Sequence, residues 1–303
     1  MRNIVNKLAL VFISLLAYTS LALAQQTPKV LIVTAHPDDE SAFAATVYKI
    51  THDLKGKVDI VIVTNGEGGY KYSTLAEDLY GIELTEEKIG REHLPTIRKR
   101  EMMNGGRIIG LRSYYFLEQK DHRYTQDVKE VFDGIWNLDL VRNRVKDIVV
   151  QGEYDFIFTL LPTAETHGHH KGATILALEV VSSLSTAKKP IILGCTVLRK
   201  EDAEKFTFTG LEGFSLTKIK KESPLFTFDR TSRFGFNNNL NYKIIVNWLI
   251  SEHKSQGATQ LGVNQGDLER FWYFDINSNS GIEATQNLFK QLEINNFKVK
   301  EYK

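Results

Sequence analysis

The chain has 303 residues, 42% of them hydrophobic and 25% charged, with a formal net charge of +1. That is ample apolar content for a buried core and excludes a disordered chain. The near-zero charge gives no electrostatic pull toward nucleic acid or an anionic membrane surface. Cys195 is the single cysteine, so an intrachain disulfide is impossible.

Residues 1–24 read as a secretory signal. Arg2 and Lys7 give a positive start, Leu8 to Ala17 is mostly apolar, and Ala22-Leu23-Ala24 has the form of a cleavage site. The mature chain is expected to begin near Gln25, in a secreted or periplasmic location. No later segment is long and apolar enough to span a bilayer, so no stable membrane insertion is expected after cleavage.

Val30 to Thr34 is an apolar run that predicts a buried strand. Ser41 to Asp53 predicts a helix, with Ser41 as its cap and Phe43, Val47 and Ile50 on one face. Val58 to Thr64 predicts a second strand, ending in the loop Asn65-Gly66-Glu67-Gly68-Gly69. A helix lies within Leu94 to Leu111, a short strand at Tyr114 to Leu117, and a helix at Val141 to Val150. A fourth strand follows at Asp155 to Leu161, a helix at Gly172 to Leu184, and a fifth strand at Pro190 to Cys195. The alternation predicts an α/β fold, Rossmann-like, with a mostly parallel sheet and helices on both faces. From about residue 200 the rhythm breaks. Short strands at Leu225 to Phe228 and Phe271 to Phe274 mix with helices near Asn239 to His253 and Ile282 to Leu292. With no Pro/Gly/Ser linker, residues 25–303 read as one domain: a core over about 28–200 and a mixed α/β elaboration over about 201–303.

Chemistry concentrates in two places. Ala35-His36-Pro37-Asp38-Asp39-Glu40 follows the first strand, where open α/β sheets place their active sites. Pro37 disfavours helical geometry at His36, so the loop turns and His36 and Asp39 can converge. His167-Gly168-His169-His170 follows the fourth strand. His36, Asp39 and His170 together supply three ligands of the type zinc takes, with a position left open for water. Iron, cobalt or nickel suits the same donors. His169 competes as the third ligand. Asp38 is left for proton transfer, or to orient His36 from outside the metal's own ligands.

Elsewhere the signals are plainer. Cys195 lies in an apolar run and reads as a buried, inert thiol. The glycine loop after the second strand lacks the G-x-G-x-x-G spacing of a dinucleotide site, and Glu67 is expected near the metal rim. Phe271 to Phe274 reads as a strand with core-facing rings rather than a sugar-stacking platform. Taken alone, His253 reads as a helix cap or surface residue.

These marks in order resemble the PIG-L/LmbE-like N-deacetylase family: Ala-His-Pro-Asp-Asp-Glu after the first strand, then Thr64-Asn65-Gly66-Glu67-Gly68, then Arg98-Lys99-Arg100-Glu101 with Ile109-Gly110, then His167-x-x-His170. His253-Lys254-Ser255-Gln256 resembles an element of some members. The resemblance implies that His36, Asp39 and His170 hold zinc and that Asp38 is the general base. It further implies that His167 stabilises the oxyanion and that Arg98 positions substrate or site loops. The implied activity is a zinc-dependent N-deacetylase, a hydrolase of linear amide C–N bonds, acting on an N-acetylated amino sugar or glycoconjugate. A different amide or ester hydrolase on the same site, or a glycan-binding protein with a vestigial site, remain open at this stage. One departure stands out. Gly168-His169 occupies the place where the family commonly has Pro-Asp between the two histidines, which leaves the protonation of His167 open; Glu165 is a candidate substitute for that Asp.

Overall fold

The structure, a computed structural model, describes residues 27–186 and 189–294. The signal-peptide expectation for residues 1–24 lies outside them. Five parallel strands form the frame: β1 (Lys29–Thr34), β2 (Lys57–Thr64), β3 (Leu111–Gln119), β4 (Phe156–Leu160) and β5 (Ile191–Leu198). Each is a run of mostly apolar residues, as a strand covered on both faces requires. Along β1, Val30 and Ile32 enter one core, with Phe43, Phe158 and Leu249. Leu31 and Val33 enter the other, with Val141, Leu176 and Trp272. The period of two along a strand thus divides one apolar run between two hydrophobic layers.

The C-terminal region is not a cap on this sheet but part of it. β6 (Phe226–Asp229) and β9 (Leu268–Tyr273) complete a seven-stranded sheet in the order β3-β2-β1-β4-β5-β9-β6; β7 (Arg233–Phe234) and β8 (Leu240–Asn241) make a separate small hairpin. β9 runs antiparallel to both neighbours. Phe271, Trp272, Tyr273 and Phe274 are all buried, so these rings are core, as expected. Cys195 is fully buried on β5, and burial raises its thiol pKa well above the ordinary value.

Element ends differ from the sequence reading. The expected helix from Ser41 is a 3₁₀ turn (Asp39–Phe43), an α-helix (Ala44–Tyr48) and a π turn (Lys49–Asp53). Ser41 does not cap it. The Glu269 carboxylate of β9 does, accepting from Ala45 N and Thr46 N at 2.9 Å each. Arg230 pairs with that carboxylate at 2.8 Å and donates to Ser41 O, all buried. The helix Glu87–Ile108 begins earlier than expected, and so does Gly168–Ser183. β3 runs on to Gln119.

The strand order reverses beside β1: the chain steps outward through β2 and β3, then returns to pair β4 with the other edge of β1. The crevice outside the ends of β1 and β4 is therefore the topological switch point, the place where this architecture binds ligands. Residues 36–40 follow β1 and residues 167–170 follow β4.

Candidate metal centre

His36, Asp39 and His170 meet at this crevice, their donor atoms all within 4.8 Å of one another. His36 Nδ1 lies 2.9 Å from His170 Nε2, and Asp39 Oδ1 lies 3.0 Å from the same nitrogen. Asp39 is held by its other oxygen. Oδ2 accepts from Thr34 Oγ1 at 2.5 Å, His36 N at 2.8 Å and Ala35 N at 3.1 Å. Oδ1 is thereby turned toward the imidazoles. His170 Nδ1 lies 3.2 Å from Thr166 Oγ1, which leaves Nε2 for the centre. Burial works against the Asp39 charge, yet His170 and then His36 hold its carboxyl far below the usual range. Burial also disfavours a charged His170, but Asp39 raises its pKa. The arrangement thus favours a positive charge in front of Asp39. Two imidazole nitrogens and one fixed carboxylate oxygen fit zinc or a related transition cation in its place.

Asp38 differs in every respect from its neighbour. Its backbone has φ 139°, a conformation few L residues adopt and one that costs about 1–3 kcal/mol. Three contacts impose it. Asp38 N donates to Glu40 Oε2 at 3.0 Å. Arg98 Nη2 donates to Pro37 O at 2.6 Å, and lies 3.1 Å from Asp38 Oδ2. Burial pushes the Asp38 carboxyl up to about 6 despite the Arg98 charge. Asp38 therefore faces the cleft with a carboxyl that protonates near pH 6, while Asp39 stays ionised.

His167 is the N-cap of the Gly168–Ser183 helix. Its Nδ1 accepts from His169 N at 3.0 Å, so the neutral ring carries its proton on Nε2. Burial, then His169 and His170, pull its pKa down to about 3. A cation beside it lowers that value further. The protonation left open by the sequence is thus decided for a neutral ring with an N–H to donate. Among the described residues no hydrogen bond or ion pair joins Glu165 to His167, so Glu165 does not stand in for the family's Asp.

The remaining expectations sort by depth. Arg98 is buried, lines the cleft beside Asp38 and braces a loop: Nη1 donates to Gly66 O at 2.6 Å. Gly66 has φ 73°, and a Cβ there would meet Arg98 Nη1 at 2.6 Å, so the glycine loop makes room for a guanidinium. Glu67, expected at the rim, accepts from Asp121 N through Oε1 at 3.0 Å, while Gly68 and Gly69 line the cleft beside it. His169 is fully buried behind His36, outside the cleft wall formed by His36, Asp38, Asp39, His167 and His170.

Sequence reasoning misses Asp121, His122 and Tyr124. They follow β3, so the strand-end rule that finds the other two segments applies to them, but the apolar pattern ends that strand at Leu117. Tyr124 stacks edge-on against His167 at 5.0 Å. His253, read alone as a helix cap or surface residue, stands at the N-cap of the 3₁₀ turn Lys254–Gln256 but is buried, with Nε2 2.6 Å from Glu40 Oε1. The cleft outside these groups has a volume of about 860 Å³, with Tyr70, Tyr72 and Tyr124 among its lining residues.

The family model described as PIG-L, GlcNAc-PI de-N-acetylase, matches residues 31–181. No curated protein matches the chain. Among solved structures, the conserved protein TT1542 from Thermus thermophilus is similar at 16% identity and a TM-score of 0.51, over 80% of this chain and 93% of that one. The N,N'-diacetylchitobiose deacetylase from Pyrococcus horikoshii is similar at 19% identity and a TM-score of 0.49, over 83% and 88%. GalB, the 4-carboxy-2-hydroxymuconate hydratase from Pseudomonas putida KT2440, is similar at 14% identity and a TM-score of 0.48, over 81% and 95%. At 16% identity the likeness to TT1542 speaks for the fold alone. The family assignment rests on the family model and on the four sequence marks inside it: through residues 31–181, this chain belongs to the PIG-L family of de-N-acetylases.

Proposed function

We propose that this protein is an exported, zinc-dependent N-deacetylase that removes an acetyl group from an N-acetylated amino sugar or glycoconjugate. The observation that carries the reading is the pairing of two adjacent carboxylates in opposite roles at one open cleft. Asp39 is tied down by three donors and turned toward His36 and His170; Asp38 is strained, protonatable near neutral pH and open on its cleft side.

His36, Asp39 and His170 would hold the cation, which when bound supplies Lewis-acid activation of the amide carbonyl and of water. Asp38 takes the proton of the attacking water, its Oδ2 kept in place by Arg98. His167 offers Nε2–H to the oxygen that gains charge as the carbonyl carbon becomes tetrahedral. Asp38 then returns its proton to the departing amine as the C–N bond breaks, which leaves acetate and a free amino group. Tyr70, Tyr72 and Tyr124 offer amphipathic faces of the kind that receive sugar rings.

The test is acetate release by zinc-loaded and chelator-treated protein from N-acetylglucosamine, chitooligosaccharides, muropeptides and N-acetylglucosaminides, with Asp38→Asn as control. Metal-dependent release from at least one substrate class, lost in the variant, is expected. No release from any of them, or equal release by the variant, would overturn the reading.

A further inference from the structure

His36 is held from behind by a line of side chains that the reaction does not use. Its Nε2 lies 3.1 Å from His169 Nδ1. His169 Nε2 lies 3.0 Å from His122 Nδ1. His122 Nε2 lies 2.8 Å from Glu130 Oε1. Each link joins an Nε2 to the next Nδ1, and the last acceptor is a carboxylate.

That order gives the chain a direction. An ionised carboxylate only accepts, so a neutral His122 must carry its proton on Nε2. Its Nδ1 then accepts from His169 Nε2–H. His169 Nδ1 in turn accepts from His36 Nε2–H. The remaining lone pair of His36 is on Nδ1, the atom 2.9 Å from His170 Nε2 at the metal site. Reversing the tautomers would aim a lone pair of His122 at Glu130. Glu130 is kept ionised: Arg123 and Thr125 also donate to it, at 2.7 and 2.9 Å, and with His122 they hold its carboxyl down to about 2. The His169 ring cannot readily turn, because it is fully buried against Trp136 with ring centroids 5.3 Å apart.

We propose that His169, His122 and Glu130 are positioning residues that set the tautomer of His36 and present its Nδ1 lone pair to the cation. The inference rests on the reading of His36 as a metal ligand. It gives a role to His169, which stands where the family commonly has an Asp. His169 passes on the pull of a carboxylate two rings away. Asp121 is the competing acceptor. Its Oδ1 lies 3.3 Å from His169 Nδ1, and a proton there would force the opposite order, with His122 doubly protonated between His169 and Glu130.

The experiment is zinc affinity by chelator competition on the mature protein, joined to ¹⁵N spectra of the imidazoles in the zinc-loaded form. A wild type that binds no zinc, or a His36→Ala variant that binds as well as wild type, removes the metal reading itself. Given wild-type binding, His122→Phe should weaken zinc about 10- to 100-fold, the usual cost of losing a partner that orients a ligand. His122→Gln, which can accept from His169 and donate to Glu130, should restore most of it. If His122→Phe fails to fold, Glu130→Leu at the partly exposed end of the line decides, read beside the melting temperature of the metal-free proteins. Unchanged affinity in Glu130→Leu overturns the proposal. So does a proton on His169 Nδ1. A second zinc equivalent that His169→Asn abolishes also overturns it, since His169 would then serve an ion and not His36.

Discussion

Residues 36–40 and residues 253–256 lie against each other, and both are largely buried, yet they do different work. The first segment carries the groups that face the cleft. The second lies beyond the part matched by the family model; Gln256 lines the cleft, and His253 and Ser255 act on the site through other side chains. His253 pairs with Glu40, whose other oxygen holds the strained Asp38 backbone. Ser255 donates to both oxygens of Glu101, from N at 2.8 Å and from Oγ at 2.5 Å, one turn along the helix from Arg98. A Cβ on Gly69 would meet Gln256 Oε1 at 2.6 Å. Among the described residues, 253–256 thus supply none of the groups proposed to react and still brace them. The comparison teaches that chemistry and support are separable here, so variants on the two sides should fail in different ways.

The sharpest break should come from the ligands. His36→Ala and His170→Ala are expected to lose bound zinc and to drop turnover to background, while the fold survives. Metal analysis with circular dichroism checks this, and full metal retention in both would reject the site. Next in size is Asp38→Asn. It should keep metal and melting temperature but lose about 100- to 10,000-fold in kcat, the range of general acid–base catalysis. The same residue should set an acidic limb in wild-type kcat/KM, with activity falling as protonation removes the proposed base. Burial places that carboxyl at about 6, and a bound cation draws it lower, so the limb should fall at or below pH 6 and vanish in the variant.

A smaller loss, about 100- to 1000-fold in kcat with little change in KM, is expected for His167→Ala, the cost of one oxyanion donor. Because the ring is neutral, no basic limb near pH 7 should depend on it; a limb that disappears in His167→Gln would mean that the ring is charged. The support side should respond in stability first. His253→Phe leaves the Glu40 carboxylate buried and unpaired, a change that costs about 3–5 kcal/mol. Its kcat should fall only as far as Asp38 relaxes. Although burial opposes the charge, Glu40 and then Asp38 raise the His253 pKa above 6.5. A raised folded pKa stabilises fully at pH below 6.5, and that contribution is lost as the pH rises through the folded value. Denaturant unfolding across pH should therefore show the wild-type advantage over Glu40→Gln shrinking on the alkaline side. An advantage that grows with pH would mean the pair is not charged as described.

Much of this is legible in the chain because parallel strands buried on both faces are continuous apolar runs. Both segments that carry the cleft chemistry are found by their place after such runs. The errors cluster at element ends. The apolar pattern stops β3 at Leu117, and Asp121 and His122 are lost with its last residues. The helix at 168 reads as starting four residues late because Gly-His-His is a poor helix former. Tertiary contacts start it instead: Gly168 N donates to Thr125 O at 2.6 Å, and Lys171 Nζ donates to Gln126 O and Ala164 O.

What the sequence by itself determined is the set of chemical groups and the edge of the sheet they share. Motif order and the succession of apolar runs are properties of the chain, whereas the switch point follows from how the strands pair in the sheet. Only the tertiary structure decided the state of each group. Asp38 and Asp39 are neighbours of one residue type, and no local rule separates them. They part because Thr34 and two backbone amides hold one, while Arg98 and a strained backbone braced by Glu40 and His253 hold the other. The partners that set charge, tautomer and strain arrive from β3, from the helix at 87–108 and from residues more than 200 positions away. Desolvation and hydrogen bonding act through space, and sequence proximity does not record them.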